Sequence, residues 1–269
     1  MKNSVKKDFN FILGIVLTAI VVVPAIIGIF WTPYGIDTMN NSLKMAGCSL
    51  AHPFGCDNFG RDILSRVMAG SAITLLIGLG TVAIGAVAGT VIGAVTGYYG
   101  GLADDIFMRF NDVMFSFPSL LLALVFVAVL GSGRTQLTVA LGIAFIPSYV
   151  RIVRAEYVRA RNMDYVKSAK LAGASDIRVM FVHILPNTSK VMMGSLLIGF
   201  NNAVLAEAGL SFLGIGVQPP DASLGRMLSD AQTYLFGKPG LAIVPGVTLI
   251  VMVLGISLLG KSDTITRIR

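Results

Sequence analysis

The chain has 269 residues, 55% of them hydrophobic and 13% charged, and a mean hydropathy of +0.79 excludes an ordinary soluble domain. The formal charge is +7, but the basic residues are dispersed along apolar flanks and not gathered with aromatics on one soluble face, which argues against a nucleic-acid binder. Apolar runs of the roughly 20 residues needed to cross about 30 Å of hydrocarbon recur along the chain, so the expected fold is an all-α polytopic membrane protein.

The first span is expected at Phe11–Trp31, with Pro24 and Gly28 inside it. It is longer than the roughly 7–15 residue core of a signal peptide, and no small-residue cleavage site follows, so it reads as a retained span. Lys2, Lys6 and Lys7 before it place the N-terminus in the cytoplasm. Thr32–Met68 is polar and turn-rich and is expected outside. Its Pro53 and Gly55 predict a turn, Asp57 a cap, and Gly60–Arg66 a short amphipathic helix feeding the next span. Cys48 and Cys56 lie in this loop, as a disulfide or as two free thiols; with His52 they offer only three ligands, too few for a closed metal site.

The second span, about Gly70–Gly97, carries Gly85, Gly89, Gly93 and Gly97 four apart, a small-residue stripe that predicts close packing of another helix. Tyr98–Arg109 reads as a short inner loop, followed by a third span at Met114–Leu130 with Pro118 in its first turn. The fourth, Leu137–Val150, is only marginally long enough, and Pro147 is expected to kink its inner end. The chain thus divides at residue 69 into a leading span with its external loop, 1–69, and a five-span core, 70–269.

Arg151–Asn187 is the one long polar island, with Arg151, Arg154, Arg159, Arg161, Lys167, Lys170 and Arg178 set against Glu156, Asp164 and Asp176. It predicts two helices broken at Gly173, the second capped by Ser175 or Asp176 and stopped by Pro186. Val158, Ala169 and Ala172 on the first helix, and Ile177, Phe181 and Ile184 on the second, supply faces to bury.

The fifth span begins near Thr188 and holds Asn201, Asn202 and Glu207, the strongly polar cluster inside a predicted span. These are candidate pathway or gate residues, with inter-helix hydrogen bonding as the other reading. Gln218–Gly240 is expected outside and Leu241–Gly260 is the sixth span. Six spans put both termini inside, with fifteen of the 21 basic residues on the inner side.

Gly255–Ser262 fits the P-loop pattern letter for letter, but it ends a span and leaves no room for the helix a P-loop needs. The two histidines, His52 and His183, fall on opposite sides of the membrane, and the sequence offers no paired-carboxylate or triad arrangement. Energy for any transport would therefore have to come from a partner or a gradient.

Four signatures in order resemble one family. Lys167-Ser168-Ala169-Lys170-Leu171-Ala172-Gly173 followed by Leu185-Pro186 is similar to the EAA loop of ABC-importer permeases, with Lys167 and Ser168 where Glu and Ala are usual and His183 where Ile is usual. His52-Pro53-Phe54-Gly55-Cys56-Asp57 with Gly60-Arg61-Asp62-Ile63-Leu64-Ser65-Arg66 resembles the HPxGTD…GRD.LSR signature of the peptide/nickel branch, with Cys56 for Thr. Tyr98–Arg109 and Glu207–Gly214 also look like that branch, whereas Leu224 replaces the usual Trp, and Ser257 and Lys261 depart from Asn-Leu-Leu-Gly-Asp.

The resemblance implies a type I ABC-importer permease in the bacterial inner membrane, forming half of a translocation pathway. It implies a second homologous permease, two ATPase subunits inside, a substrate-binding protein outside, and no catalytic residue or cofactor in this chain, ATP and Mg being bound by the partners. The implied ATPase-coupling residues are Ser168, Ala169, Gly173, Ala174, Ser175, Asp176, Ile177, Met180, Leu185 and Pro186, with Gly173 setting the bend and Ala174–Met180 filling the ATPase groove. The branch points to short peptides as cargo, with nickel or a metal chelate such as a metallophore or opine as the alternative. A reading from another class, a stand-alone secondary transporter or channel, would call for midplane ionisable residues or inverted repeats; apart from Glu207 none is evident.

Overall fold

The computed structural model describes residues 2–266, and the side chains of these except 2–8, 103 and 261–266. Lys2, Lys6, Lys7, Lys261, Arg267 and Arg269, which contribute to the expected charge asymmetry, fall outside the described side chains. The fold is nearly all helical: α1 (Lys2–Phe30), α2 (Ile63–Tyr99), α3 (Gly101–Phe115), α4 (Ser119–Leu130), α5 (Arg134–Ala160), α6 (Asp164–Leu171), α7 (Asp176–Arg178), α8 (Leu185–Phe212), α9 (Leu224–Ala231) and α10 (Gly240–Thr266). Five stretches among the described residues are long and apolar enough to span a bilayer, and the α3–α4 pair makes a sixth if taken as one bent span.

Several boundaries differ from the sequence reading, each for a local reason. The expected amphipathic helix at Gly60–Arg66 is no separate element, because Asp62 caps α2 directly, accepting from the Ser65 N–H at 2.8 Å, and the helix runs on unbroken to Tyr99. Asp57 does not cap; it accepts from the Arg61 N–H at 2.9 Å and from Arg61 Nε at 2.6 Å. The 37 residues of α2 extend about 55 Å, well beyond the hydrocarbon thickness.

Tyr98–Arg109 is no loop: after the positive-φ glycines Gly100 and Gly101 the chain enters α3, whose axis meets α4 at 91° across Ser116–Pro118. Pro118 lies just ahead of α4, not within its first turn. Pro147 leaves α5 continuous, and this helix carries ten residues assigned to the polar island, Arg151–Ala160. Pro186 does not stop a helix either. It occupies the first turn of α8, where a missing N–H is tolerated. The preceding π-helical turn, Val179–Ile184, supplies the widened register, with the Leu185 N–H bonded to the Met180 carbonyl.

The α2–α5 pair is the most extensive helix contact. The stripe Gly85, Gly89, Gly93 and Gly97 faces α5 so closely that a Cβ on Gly93 would lie 2.7 Å from the Val150 carbonyl oxygen, and one on Gly97 2.7 Å from that of Arg154. Dispersion across such a close backbone approach holds helices together where lipid supplies no hydrophobic drive. A second apolar cluster joins α1, α2, α8, α9 and α10 through Val21, Val67, Phe200, Val204, Leu224 and Met252. Gly255–Gly260 is helical within α10, and a Cβ on Gly255 would press on Thr18 of α1, so the P-loop look-alike is a helix-packing segment.

Candidate functional site

The segment between α5 and α8 is built around one turn. At the end of α6, Gly173 takes φ +82°, a conformation that favours glycine, and the N–H groups of Gly173 and Ala174 bond the carbonyls of Lys170 and Ala169 at 3.0 and 3.1 Å. Ser175 then caps α7, its hydroxyl oxygen accepting from the Arg178 N–H.

One face of this helix–turn–helix is buried. Val166, Val179, Met180 and Ile184 pack with Ala94 and Tyr98 of α2 and with Val153, Tyr157 and Ala160 of α5. Four polar links cross the same boundary: the Tyr98 hydroxyl donates to Asp176 Oδ1 at 2.5 Å, the Tyr157 hydroxyl donates to the Met180 carbonyl at 3.0 Å, Arg161 Nη1 donates to the Gly97 carbonyl at 3.3 Å, and the Lys170 ammonium lies 4.7 Å from the Tyr98 ring centroid.

The other face is open and unexpectedly apolar. Leu171 is 90% exposed, Ile177 68% and Val182 58%. Among the coupling candidates Ser168, Gly173, Ser175, Asp176, Ile177 and Pro186 are exposed, Ala169, Ala174 and Leu185 are half-buried, and Met180 is buried at 3%. Met180 therefore cannot enter a partner's groove from this position, because its side chain fills the core behind Tyr157. Sequence reasoning passed over Leu171 and Val182, although a leucine ending a strongly charged helix beside a glycine was an available signal.

The basic residues are also not all free for docking. Arg154 makes a two-point ion pair with Asp104 of α3, at 2.6 and 2.7 Å, and Arg151 pairs with Asp112 at 2.7 Å while stacking 3.8 Å from the Phe115 centroid. These pairs fix α3 across α5. Among the described residues Arg159 and Lys167 pair with near neighbours on their own helices, Glu156 and Asp164.

The polar residues of the fifth span occupy three different environments. Glu207 is completely buried and accepts from Thr74 Oγ1 of α2 at 2.9 Å and from Ser211 Oγ at 2.8 Å. Thr74 Oγ1 in turn accepts from the Leu224 N–H of α9, and Ser211 Oγ from the Val217 N–H. The carboxyl group is thus the centre of a network that ties α2, α8 and α9. Asn201 Nδ2 donates to Ser257 Oγ of α10 at 2.9 Å, whereas Asn202 is exposed.

At the same end as α9, residues 31–62 form a braced loop. His52 Nδ1 lies 2.8 Å from Asp62 Oδ1 and its ring 4.5 Å from that of Tyr34, whose N–H bonds Ser65 Oγ. Arg66 reaches Asp37 and the Ile36 carbonyl, both at 3.3 Å. Cys48 is exposed and Cys56 buried, both as free thiols. Burial, with Asp62 and Asp57 nearby, pushes the Cys56 thiol pKa up. His52 is thus engaged by a carboxylate at Nδ1 and by an aromatic ring.

A family model described as "Binding-protein-dependent transport system inner membrane component" matches residues 89–262. The chain is 36% identical over 261 residues to a dipeptide transport system permease protein of Haemophilus influenzae, covering 95% of this chain and 88% of that protein. It is 34% identical over 258 residues to a dipeptide transport system permease protein of Alkalihalophilus pseudofirmus, covering 96% and 85%. A glutathione transport system permease protein of Pectobacterium atrosepticum is 42% identical over 216 residues, 80% of this chain and 71% of that one.

Proposed function

We infer the role of this chain from its family, since it belongs to the binding-protein-dependent transport system inner membrane components: it is the multi-pass transmembrane subunit of an ATP-driven importer of short peptides. Peptides are preferred to nickel or a metal chelate because the relatives compared are named for dipeptide and glutathione transport. Membership of this family also sets aside a stand-alone secondary transporter or channel.

In this reading the chain forms half of the pathway with a second homologous permease, and both termini face the cytoplasm. A solute-binding protein delivers cargo at the end that carries residues 31–62, and two ATPase subunits dock at the opposite end. ATP and Mg are bound by those subunits, and this chain does no chemistry of its own.

One observation carries the coupling part of the reading, the exposed Leu171, Ile177 and Val182 on a helix–turn–helix whose other face is buried against α2 and α5. Exposed apolar side chains on an ordered, charged segment outside the bilayer mark a surface that a protein partner covers. Closure of the ATPases would pull on this segment and switch the spans between inward-open and outward-open arrangements, with cargo bound only in passing.

Purifying the chain in mild detergent and reconstituting what accompanies it into vesicles tests the whole reading. Co-purified ATPase subunits and ATP-dependent dipeptide uptake are the expected results. Uptake driven by an ion gradient in ATP-free vesicles, with no ATPase bound, would overturn it.

A further inference from the structure

At Gly173 nothing among the described residues lies within 4 Å of where a Cβ would sit, so the turn is shaped locally by its own backbone bonds to Lys170 and Ala169 and by the Ser175 cap. The φ of +82° permits the bend, but a glycine also permits many others. A side chain that reaches both α6 and α7 adds to these local bonds in setting the angle between the two helices, and with it the spacing of Leu171 and Ile177 on either side of the turn.

Tyr98 is the residue that touches both sides. Its ring lies beneath the Lys170 ammonium of α6, and its hydroxyl bonds Asp176, the first residue of α7. The side chain is itself buried in the last turn of α2. From there α2 packs against α5 along the glycine stripe, while α8 follows the segment through the π-helical turn Val179–Ile184 and adds Met192 to the edge of the same cluster. A load applied to the turn therefore has a direct route through Tyr98 into α2 and, along the close glycine contact, into α5.

We propose that Tyr98 is the positioning residue of the coupling segment: by bridging Lys170 and Asp176 across the Gly173 turn it fixes the geometry of the exposed coupling face and transmits its movement to α2 and α5 as one body. This rests on the coupling reading above.

The test uses the assembled importer in vesicles and measures dipeptide taken up per ATP hydrolysed. Tyr98→Phe keeps the ring, its packing and the contact with Lys170 and removes only the hydroxyl. The expected result is retention of the ATPase subunits with a fall of about tenfold in the uptake-to-hydrolysis ratio, the scale of one hydrogen bond to a charged carboxylate. Asp176→Ala should produce a similar fall, the double variant should be no worse than either single one, and Asp176→Asn, which keeps an acceptor oxygen, should recover part of the loss. A wild-type ratio in Tyr98→Phe, losses that multiply in the double variant, or loss of the ATPases from the Tyr98→Phe complex would each overturn the inference. A wild-type complex with no ATPase bound is a separate outcome that removes the coupling reading and this inference with it.

Discussion

Replacing Glu207 separates its two sequence-level readings, pathway contact and inter-helix bond. The carboxyl group is fully buried and accepts hydrogen bonds from Thr74 at 2.9 Å and Ser211 at 2.8 Å, both of which also serve backbone N–H groups of the α8–α9 region. In Glu207→Ala each hydroxyl loses its acceptor, at about 0.6–1.7 kcal/mol per bond for helices in a bilayer. The vacated volume adds a cavity penalty of about 2 kcal/mol or more. The sum is about 3–5 kcal/mol, which at about 2–4 °C per kcal/mol lowers the melting temperature by roughly 6–20 °C. Glu207→Gln keeps the volume and one carbonyl acceptor, so it should lose about one bond and roughly 1–7 °C. Thermal unfolding of the detergent-solubilised complex, followed by tryptophan-independent thiol exposure or by loss of monodispersity, reads both shifts. If Glu207→Ala melts with wild type while its dipeptide uptake collapses, the carboxyl group acts on the cargo and the structural argument is wrong.

Gly173→Leu should abolish uptake while the protein still inserts, because a left-handed φ costs a branched side chain about 1–2 kcal/mol and the turn re-aims. Gly173→Asn, which tolerates that region, should keep most of the uptake, and equal activity of the two variants would show that the bend is not what matters. Gly93→Leu drives a side chain into the Val150 carbonyl and should reduce the yield of folded protein sharply; normal yield and melting would mean that α2 and α5 are not closely packed there. At neutral pH a maleimide should label Cys48 and spare Cys56. Because the folded Cys56 thiol ionises at a higher pH than the unfolded one, near 8.5, stability linked to this group is present below that value and lost as pH rises towards the folded pKa. Labelling of Cys56 should accordingly begin only in that alkaline range, and equal rates for both thiols at pH 7 would contradict the buried placement.

Much of the architecture is legible without coordinates, because crossing a bilayer imposes length and polarity on each span independently of its neighbours. The apolar runs located five spanning helices, the third expected span being bent by 91° ahead of α4, and the glycine period of four marked the face of α2 that meets α5. The Gly173 turn with its Ser175 cap is equally local, set by a single permissive φ and a single hydroxyl. Where the reading went astray, distant partners decided the outcome. The stretch after Tyr99, with Asp104, Asp105 and Arg109, looks like a charged loop. It is a helix because Asp104 and Asp112 meet Arg154 and Arg151, some 50 and 39 positions away. Pro186 looks like a stop signal until its place in the first turn of α8, behind a π-helical turn, is seen.

The candidate site divides in the same way. The sequence by itself determined that a basic, glycine-broken helix pair would lie between two spans, since charge, cap and breaker act within a few residues of where they stand. Only the tertiary structure decided which of its side chains are available: Met180 and Ile184 turn inward, Leu171 and Ile177 turn outward, and Tyr98, 78 positions before Asp176, reaches across to hold both halves of the turn. Burial and pairing of that kind depend on which helices the chain brings side by side, and the approach of α2 to α5 along its glycines is what puts Tyr98 there.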